Sequence, residues 1–188
     1  MRLMLQRGSE ESARHQAIKL MGCLIMNIAM AYAALDALYV ELKVAGGFFR
    51  GRKMFAEVDQ QMRYELVGYI TALTAVLVRE ALCEPDEVDS ILAALETLVF
   101  IPEWQAARPA YQQYVARYRD IAPGNSAVVP RQKVLLHRFR QALIDIWKVS
   151  PELLLEDGFA QRHGEALSAL HDGVEERILK ELSHNTRD

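Results

Sequence analysis

Residues that could do chemistry on a charged ligand gather at the start of a predicted helix that follows Pro130. They are Arg131, Lys133, His137, Arg138 and Arg140. In phosphodiester cleavage, a histidine would handle the proton and an arginine would stabilise the charge that develops on the phosphate. Without such a substrate, the same residues would form a solvated helix face. The sequence alone leaves both interpretations open.

The spacing of Arg131 and His137, with five residues between them, resembles that of HEPN ribonucleases. Proteins of that family are all-α dimers whose arginine and histidine are separated by four to six residues. The resemblance covers little more than seven residues here, with Gln132 as the polar residue directly after the arginine. It implies an RNA-cleaving site shared by two subunits. Arg177 and His184 form a second pair of similar spacing, so the pattern is not unique in the chain.

A second candidate site is the glycine-rich basic segment at positions 46–53. Its cations Arg50, Arg52 and Lys53 could bind a phosphate or carboxylate, because backbone N–H groups of a glycine loop can converge on an anion. The alternative is a connector between two helices, whose two phenylalanines cover the end of the bundle.

A third candidate site is an aromatic stripe flanked by arginines. It consists of Trp104, Arg108, Tyr111, Tyr114 and Tyr118. These residue types are enriched in binding hot spots, which predicts a protein–protein interface. The same stripe could instead form the inner face of the bundle, and both interpretations predict that Tyr111 and Tyr118 are buried.

Patterns that would indicate a metal centre or a nucleophilic enzyme are weak. No Glu is followed by a His three positions later, so the motif of di-iron bundles is missing. His171 and Glu175 are one helical turn apart but supply only two ligands. We therefore predict no metal site and no cofactor, and we favour a protein that is not an enzyme.

The composition indicates which kind of fold must position these residues. The chain has 188 residues, of which 51% are hydrophobic and 25% charged, and it contains only 10 Gly and 6 Pro. These values favour an all-α protein over a β-sandwich or barrel with many turns. We predict one helical domain over 1–188, a bundle of five to seven helices built on a long antiparallel hairpin. The loop at 122–126 offers a subdivision into 9–121 and 128–184.

The first helix is expected to run from Ser9 or Ser12 to Ala45 and to be apolar around its whole circumference. Such a helix needs cover on nearly every side, which predicts a central position in the bundle or an interface between two subunits. A row of alanines at 29, 33 and 37 would allow a neighbouring helix to approach closely. Gly68, Ala72 and Ala75 of a second helix, expected over 55–82, are suited to meet that row.

Further helices are expected from Pro85, from Pro102, over 130–149 and over 159–182. A membrane span is not predicted, because only 16 residues separate Lys19 from Asp36 and a spanning helix needs about 20. Charged residues also interrupt the segment before Cys23, which argues against a lipoprotein signal and leaves a cytoplasmic location as the expectation.

The function favoured by these patterns is a non-catalytic interaction protein of adaptor or regulatory type that acts as a homodimer. Its partners would be a second copy and another protein, and nucleic acid is less favoured at a net charge of −3. The alternatives are the HEPN-like ribonuclease or nucleic-acid binder that uses Arg131 and His137, and a binder of a small hydrophobic ligand between the long helices.

Overall fold

The computed structural model of the chain describes residues 2–45, 52–82, 84–98, 113, 116–118, 130–149 and 157–184. Within these ranges the protein is all-helical and contains no strand, which confirms the prediction of an all-α protein. Its helices are α1 (Arg2–Ala45), α2 (Arg52–Ala81), α3 (Pro85–Leu98), α4 (Arg131–Trp147) and α5 (Asp157–His184).

The ends of two helices follow from local chemistry. Pro85 opens α3, where its missing N–H costs no hydrogen bond, and Asp86 and Glu87 in the first turn favour the positive end of the helix dipole. At the end of α4, Lys148 adopts a left-handed conformation with φ 51°. The N–H groups of Lys148 and Val149 then donate to the carbonyls of Asp145 and Ile144, a Schellman-type stop without glycine.

Two predicted helix starts need correction. The first helix begins at Arg2, so the serines at 9 and 12 lie inside it and do not cap it. The second helix begins at Arg52, three residues before the predicted start at Phe55. The helix expected from Pro102 and the loop at 122–126 lie outside the described residues, apart from helical positions at 113 and 116–118.

The centre of the structure is α2, whereas the sequence pointed to α1. Positions 65–70 of α2 are all buried, and six consecutive residues cover every direction around a helix. This helix contacts α1, α3, α4 and α5, while α1 packs against α2, α3 and α5. The other helices contact α1 on one side only, so a single chain does not enclose α1.

The alanine row of α1 does not face α2. Residues 29, 33 and 37 are all exposed, while Gly68 of α2 is buried elsewhere. The expected close approach of the two small-residue rows is therefore wrong within one chain. The buried side of α1 instead combines large residues, including Leu24 and Leu35, with the alanines at 13, 17 and 31.

A polar contact fixes α1 against α5 within this apolar packing. Asn27 is fully buried, and its side-chain oxygen accepts a hydrogen bond from Nε of Arg177. Its amide nitrogen donates to Sγ of Cys23 at 3.4 Å. Burial is the main cause that raises the pKa of the Cys23 thiol. The polar residue in the middle of the apolar run is thus satisfied, and it sets the position of α5 along α1.

Neighbouring residues of α4 give a direct test of which side of this helix faces the core. Leu135 is 2% exposed and Val134 is 37% exposed. We expect Leu135→Ala to lower the free energy of unfolding by about 2–5 kcal/mol, because it leaves a cavity in the core. Val134→Ala should change it by less than about 0.5 kcal/mol. Urea denaturation of both variants measures the difference, and equal losses would contradict this placement of α4.

Candidate functional site

The most distinctive surface in the described part of the chain is the uncovered side of α1. Seven large apolar side chains are exposed among the described residues, and five of them lie on this helix: Ile18, Ile25, Met26, Met30 and Val40. Small residues lie between them, namely Gly22, Ala29, Ala33 and Ala37, and these are exposed as well. We call this set the α1 face. Met26 is 58% exposed and Met30 52%, so apolar exposure continues along this side of the helix.

Charged residues lie on both flanks of the α1 face, with cations near the beginning of the helix and anions near its end. Arg14 and Lys19 lie near its beginning, and Asp36 and Glu41 lie near its end; all four are exposed. At 100° per residue, Lys19 and Glu41 fall on one flank, and Arg14 and Asp36 fall on the other. Each flank therefore has a cation at one end and an anion at the other.

By length and composition, α1 also qualifies as a membrane-crossing helix, over Glu11–Glu41. Only 33% of its most apolar window is buried inside the chain. Its buried side carries the polar residues Gln16 and Asn27, and these pack among the other helices. The exposed apolar surface of α1 is thus confined to the side that the other described helices leave uncovered.

A second feature is a row of polar groups inside the bundle, which begins at Glu65 of α2. The Glu65 side chain is only 4% exposed. Its Oε1 accepts a hydrogen bond of 2.5 Å from the Tyr118 hydroxyl, and its Oε2 lies 3.6 Å from a guanidinium nitrogen of Arg117. Oε2 is buried and has no hydrogen-bond partner among the described residues. This carboxylate is therefore incompletely satisfied.

The row continues one turn along α2 at Tyr69. Its hydroxyl lies 2.5 Å from Nδ1 of His171 on α5, a buried hydrogen bond between two helices. The Tyr69 ring stacks on Phe139 of α4 with 4.3 Å between ring centroids and 5° between planes. The Tyr118 ring lies 6.0 Å away. On the far side of the imidazole, Nε2 of His171 is 3.4 Å from a carboxylate oxygen of Glu175.

Burial shifts the pKa values of the titratable groups in this row. Burial raises the pKa of Glu65 above its ordinary value, against the opposing hydrogen bond from Tyr118 and the charge of Arg117. Burial is also the largest cause that raises the pKa of Tyr69 and of Tyr118, so both phenols stay protonated. It lowers the pKa of His171, against the attraction of Glu175 and Asp172. The row is thus biased toward its uncharged forms.

At the basic start of α4, the charge of Lys133 acts on His171 and the charge of Arg138 acts on Glu65. Arg131 is the first residue of the helix and His137 follows six positions later, and both side chains are exposed. Six residues rotate a helix by about 240°, so the two side chains leave α4 in different directions. The proposed pairing across two subunits stays a prediction, since only one chain is described.

The other predicted site residues fall largely outside the described part. Arg50 is not described, and Arg52 and Lys53 lie in the first turn of α2 without described side chains. Trp104, Arg108, Tyr111 and Tyr114 are not described either. Tyr118 is described and is buried within one chain, where it contacts Glu65. This placement favours the inner-face interpretation for Tyr118, and the interface and anion-site interpretations stay predictions.

Glu65 is the important residue that sequence reasoning missed. It follows the core residue Met62 by three positions and precedes Tyr69 by four, so helical periodicity places it on the buried side of α2. A carboxylate at such a position needs a polar partner, and that requirement was the available signal. The partner itself, Tyr118, lies 53 residues away in the chain, so the sequence does not reveal it.

Comparisons with known proteins add no relationship to this geometry. No protein-family model matches the chain, and no curated protein or solved structure is detectably similar to it.

The raised pKa of Glu65 gives a prediction with a definite sign. When the pKa of a carboxyl group is higher in the folded than in the unfolded state, the folded protein becomes less stable as the pH rises above the ordinary pKa of 4.5. Glu65→Gln keeps an oxygen that accepts the Tyr118 hydrogen bond and removes the buried charge. We therefore expect this variant to be more stable than the wild type at pH 7. The advantage should shrink as pH falls toward 4, as measured by urea denaturation at several pH values.

The matched control is Glu57→Gln on the exposed side of the same helix. It should change the free energy of unfolding by less than about 0.5 kcal/mol at either pH. If Glu65→Gln destabilised the protein at pH 7, the ion pair with Arg117 would outweigh the cost of burial, contrary to our assignment.

Proposed function

We propose that this protein is a helical interaction protein, of adaptor or regulatory type, that works as a homodimer joined through the α1 face. The observation that carries the proposal is the continuous apolar exposure of Ile18, Ile25, Met26, Met30 and Val40 along one side of a long helix. An uncovered surface of this kind is stabilised by association, because burial removes apolar area from water. In this proposal α1 and α2 form the long hairpin on which each subunit is built.

The shape of the α1 face favours another helix as its occupant. Gly22, Ala29, Ala33 and Ala37 lower the middle of the face, while Ile18, Ile25 and Met30 stand beside them. A second helix can approach closely over the small residues and bury the larger ones at its sides. In an antiparallel arrangement with a two-fold axis near residue 30, the face of one copy lies against the same face of the other.

The order of charges supports the same arrangement. An antiparallel second copy brings each flank of one α1 against the same flank of the other, running in the opposite direction. With the pair centred near residue 30, Lys19 of one copy lies level with Glu41 of the other, and Arg14 and Asp36 give the second flank the same order of charges. A parallel pair would place like charges side by side, which is unfavourable. A second copy of the chain therefore fits the face in charge as well as in shape.

A lipid bilayer fits the α1 face less well than a second copy. The run without formal charge between Lys19 and Asp36 is 16 residues long, short of the roughly 20 that span a hydrocarbon core. The opposite side of α1 is occupied by α2, α3 and α5, whose exposed surfaces carry charged residues. The HEPN-like alternative and the hydrophobic-ligand alternative stay predictions, since no described contact favours either.

A charge in the middle of the α1 face should separate the subunits. Ala33→Glu introduces two carboxylates into the proposed interface, one from each copy, and burying them unpaired is costly. In sedimentation equilibrium at micromolar concentration, the wild type should be a dimer and Ala33→Glu a monomer of unchanged helix content. Leu179→Glu, at an exposed apolar position of α5, is the control and should remain dimeric.

The same measurement separates the alternatives. A wild type that is monomeric in solution would refute the proposed dimer. If that monomer then floated with phosphatidylcholine vesicles and Ala33→Glu did not, a lipid surface would cover the face in place of a second copy.

The antiparallel arrangement is tested by exchanging charges on one flank. Lys19→Glu brings like charges together twice per dimer and should raise the dissociation constant by about tenfold, equivalent to about 1.4 kcal/mol. Glu41→Lys should have a similar effect. The double variant Lys19→Glu/Glu41→Lys should restore the wild-type dissociation constant. In a parallel dimer each single variant would instead place opposite charges side by side and lower the dissociation constant, and that result would exclude the antiparallel arrangement.

A further inference from the structure

The second feature of the molecule, the polar row, ends in a group of metal-binding side chains on α5. Ligand atoms of His171, Asp172 and Glu175 all lie within 4.8 Å of one another. The imidazole is buried, whereas Asp172 is exposed and Glu175 is partly exposed. The group therefore has one ligand held inside the protein and two carboxylates open to solvent.

We propose that His171, Asp172 and Glu175 bind a divalent transition-metal ion of the zinc type, with Tyr69 as the residue that positions the imidazole. We predicted no metal site from the sequence, because the pairs 171/172 and 171/175, taken separately, each supply only two ligands. Asp172, also on α5, adds a third ligand, and Tyr69 of α2 supplies the contact that orients the His171 imidazole. Three protein ligands with further positions open to water is a common arrangement for zinc.

The distances suit the coordination of a small ion. Zinc bonds of about 2.0–2.2 Å in a tetrahedral arrangement separate neighbouring ligand atoms by roughly 3.4 Å. The observed distance between Nε2 of His171 and a carboxylate oxygen of Glu175 is 3.4 Å. Asp172 lies within 4.8 Å, and its exposed side chain can close that distance by rotation about its own bonds.

The contact with Tyr69 makes His171 a better ligand than an isolated surface histidine. The Tyr69 hydroxyl lies 2.5 Å from Nδ1 of His171, so Nε2 is the ring nitrogen directed toward Glu175. Metal-bound histidines use their second ring nitrogen in this way. With an ion on Nε2, the Nδ1–H of His171 would donate to the Tyr69 oxygen, and this contact would hold the orientation of the ring.

An imidazole ligand argues for zinc over magnesium, which prefers oxygen ligands and retains its water. One group opposes the ion: the positive charge of Lys133 on α4 acts on His171. Removing that charge should therefore strengthen binding. A purely structural role of the cluster would not produce this effect.

The test uses the full chain after treatment with a chelator, titrated with zinc or magnesium in a calorimeter and followed by thermal denaturation. Zinc should bind and raise the melting temperature, while magnesium should do neither. Glu175→Gln and Asp172→Asn, which alter solvent-accessible groups, should each weaken the zinc site by at least tenfold. Lys133→Gln should tighten it.

Matched controls separate this site from zinc bound elsewhere. Glu176→Gln changes the exposed residue beside Glu175, and His137→Gln removes an exposed histidine of α4. Both should leave the zinc affinity unchanged. The proposal is overturned if zinc does not raise the melting temperature. It is equally overturned if the affinity survives Glu175→Gln and Asp172→Asn, or if His137→Gln abolishes binding. The oligomeric state is measured separately, so failure here leaves the proposed dimer untouched.

Discussion

One constraint governs the architecture: α1 is apolar around most of its circumference, but a single chain covers only one of its sides. The helices α2, α3 and α5 pack on the side that carries Leu24 and Leu35. The opposite side keeps Met26 and Met30 in contact with water. Since exposing this much apolar surface is unfavourable, the isolated subunit is under a driving force to associate. The proposed function rests on that imbalance.

The interior presents a different constraint, because α2 carries polar groups at its most buried positions. Glu65 and Tyr69 cannot reach water, so each depends on a residue far away in sequence, Tyr118 and His171 respectively. These contacts tie α2 to α5 and to the helical segment at 116–118. Buried polar contacts depend on geometry more strongly than apolar contacts do, because a misplaced partner leaves a desolvated group unsatisfied. They therefore help to define one arrangement of the helices.

The two features occupy different parts of the molecule and need not act together. The α1 face is the proposed surface for association, while the group at His171, Asp172 and Glu175 lies on α5 where the polar row meets solvent. The buried contact of Asn27 with Arg177 connects α1 to α5. A protein that associates through one helix and holds an ion on a neighbouring helix is consistent with an adaptor or regulatory role. It requires none of the residues of the HEPN-like alternative.

The sequence by itself determined the helical class and several helix ends, such as Pro85 and Ala45, since these depend on periodicity and on local capping chemistry. It also marked α1 as a helix in need of cover. Only the tertiary structure decided that α2 is the enclosed helix, that the alanine row faces outward, and that Glu65 meets Tyr118. The physical reason is that hydrophobic periodicity defines which side of a helix avoids water but not which neighbour covers it. A hydrogen bond between residues 53 or 102 positions apart leaves no local pattern in the chain.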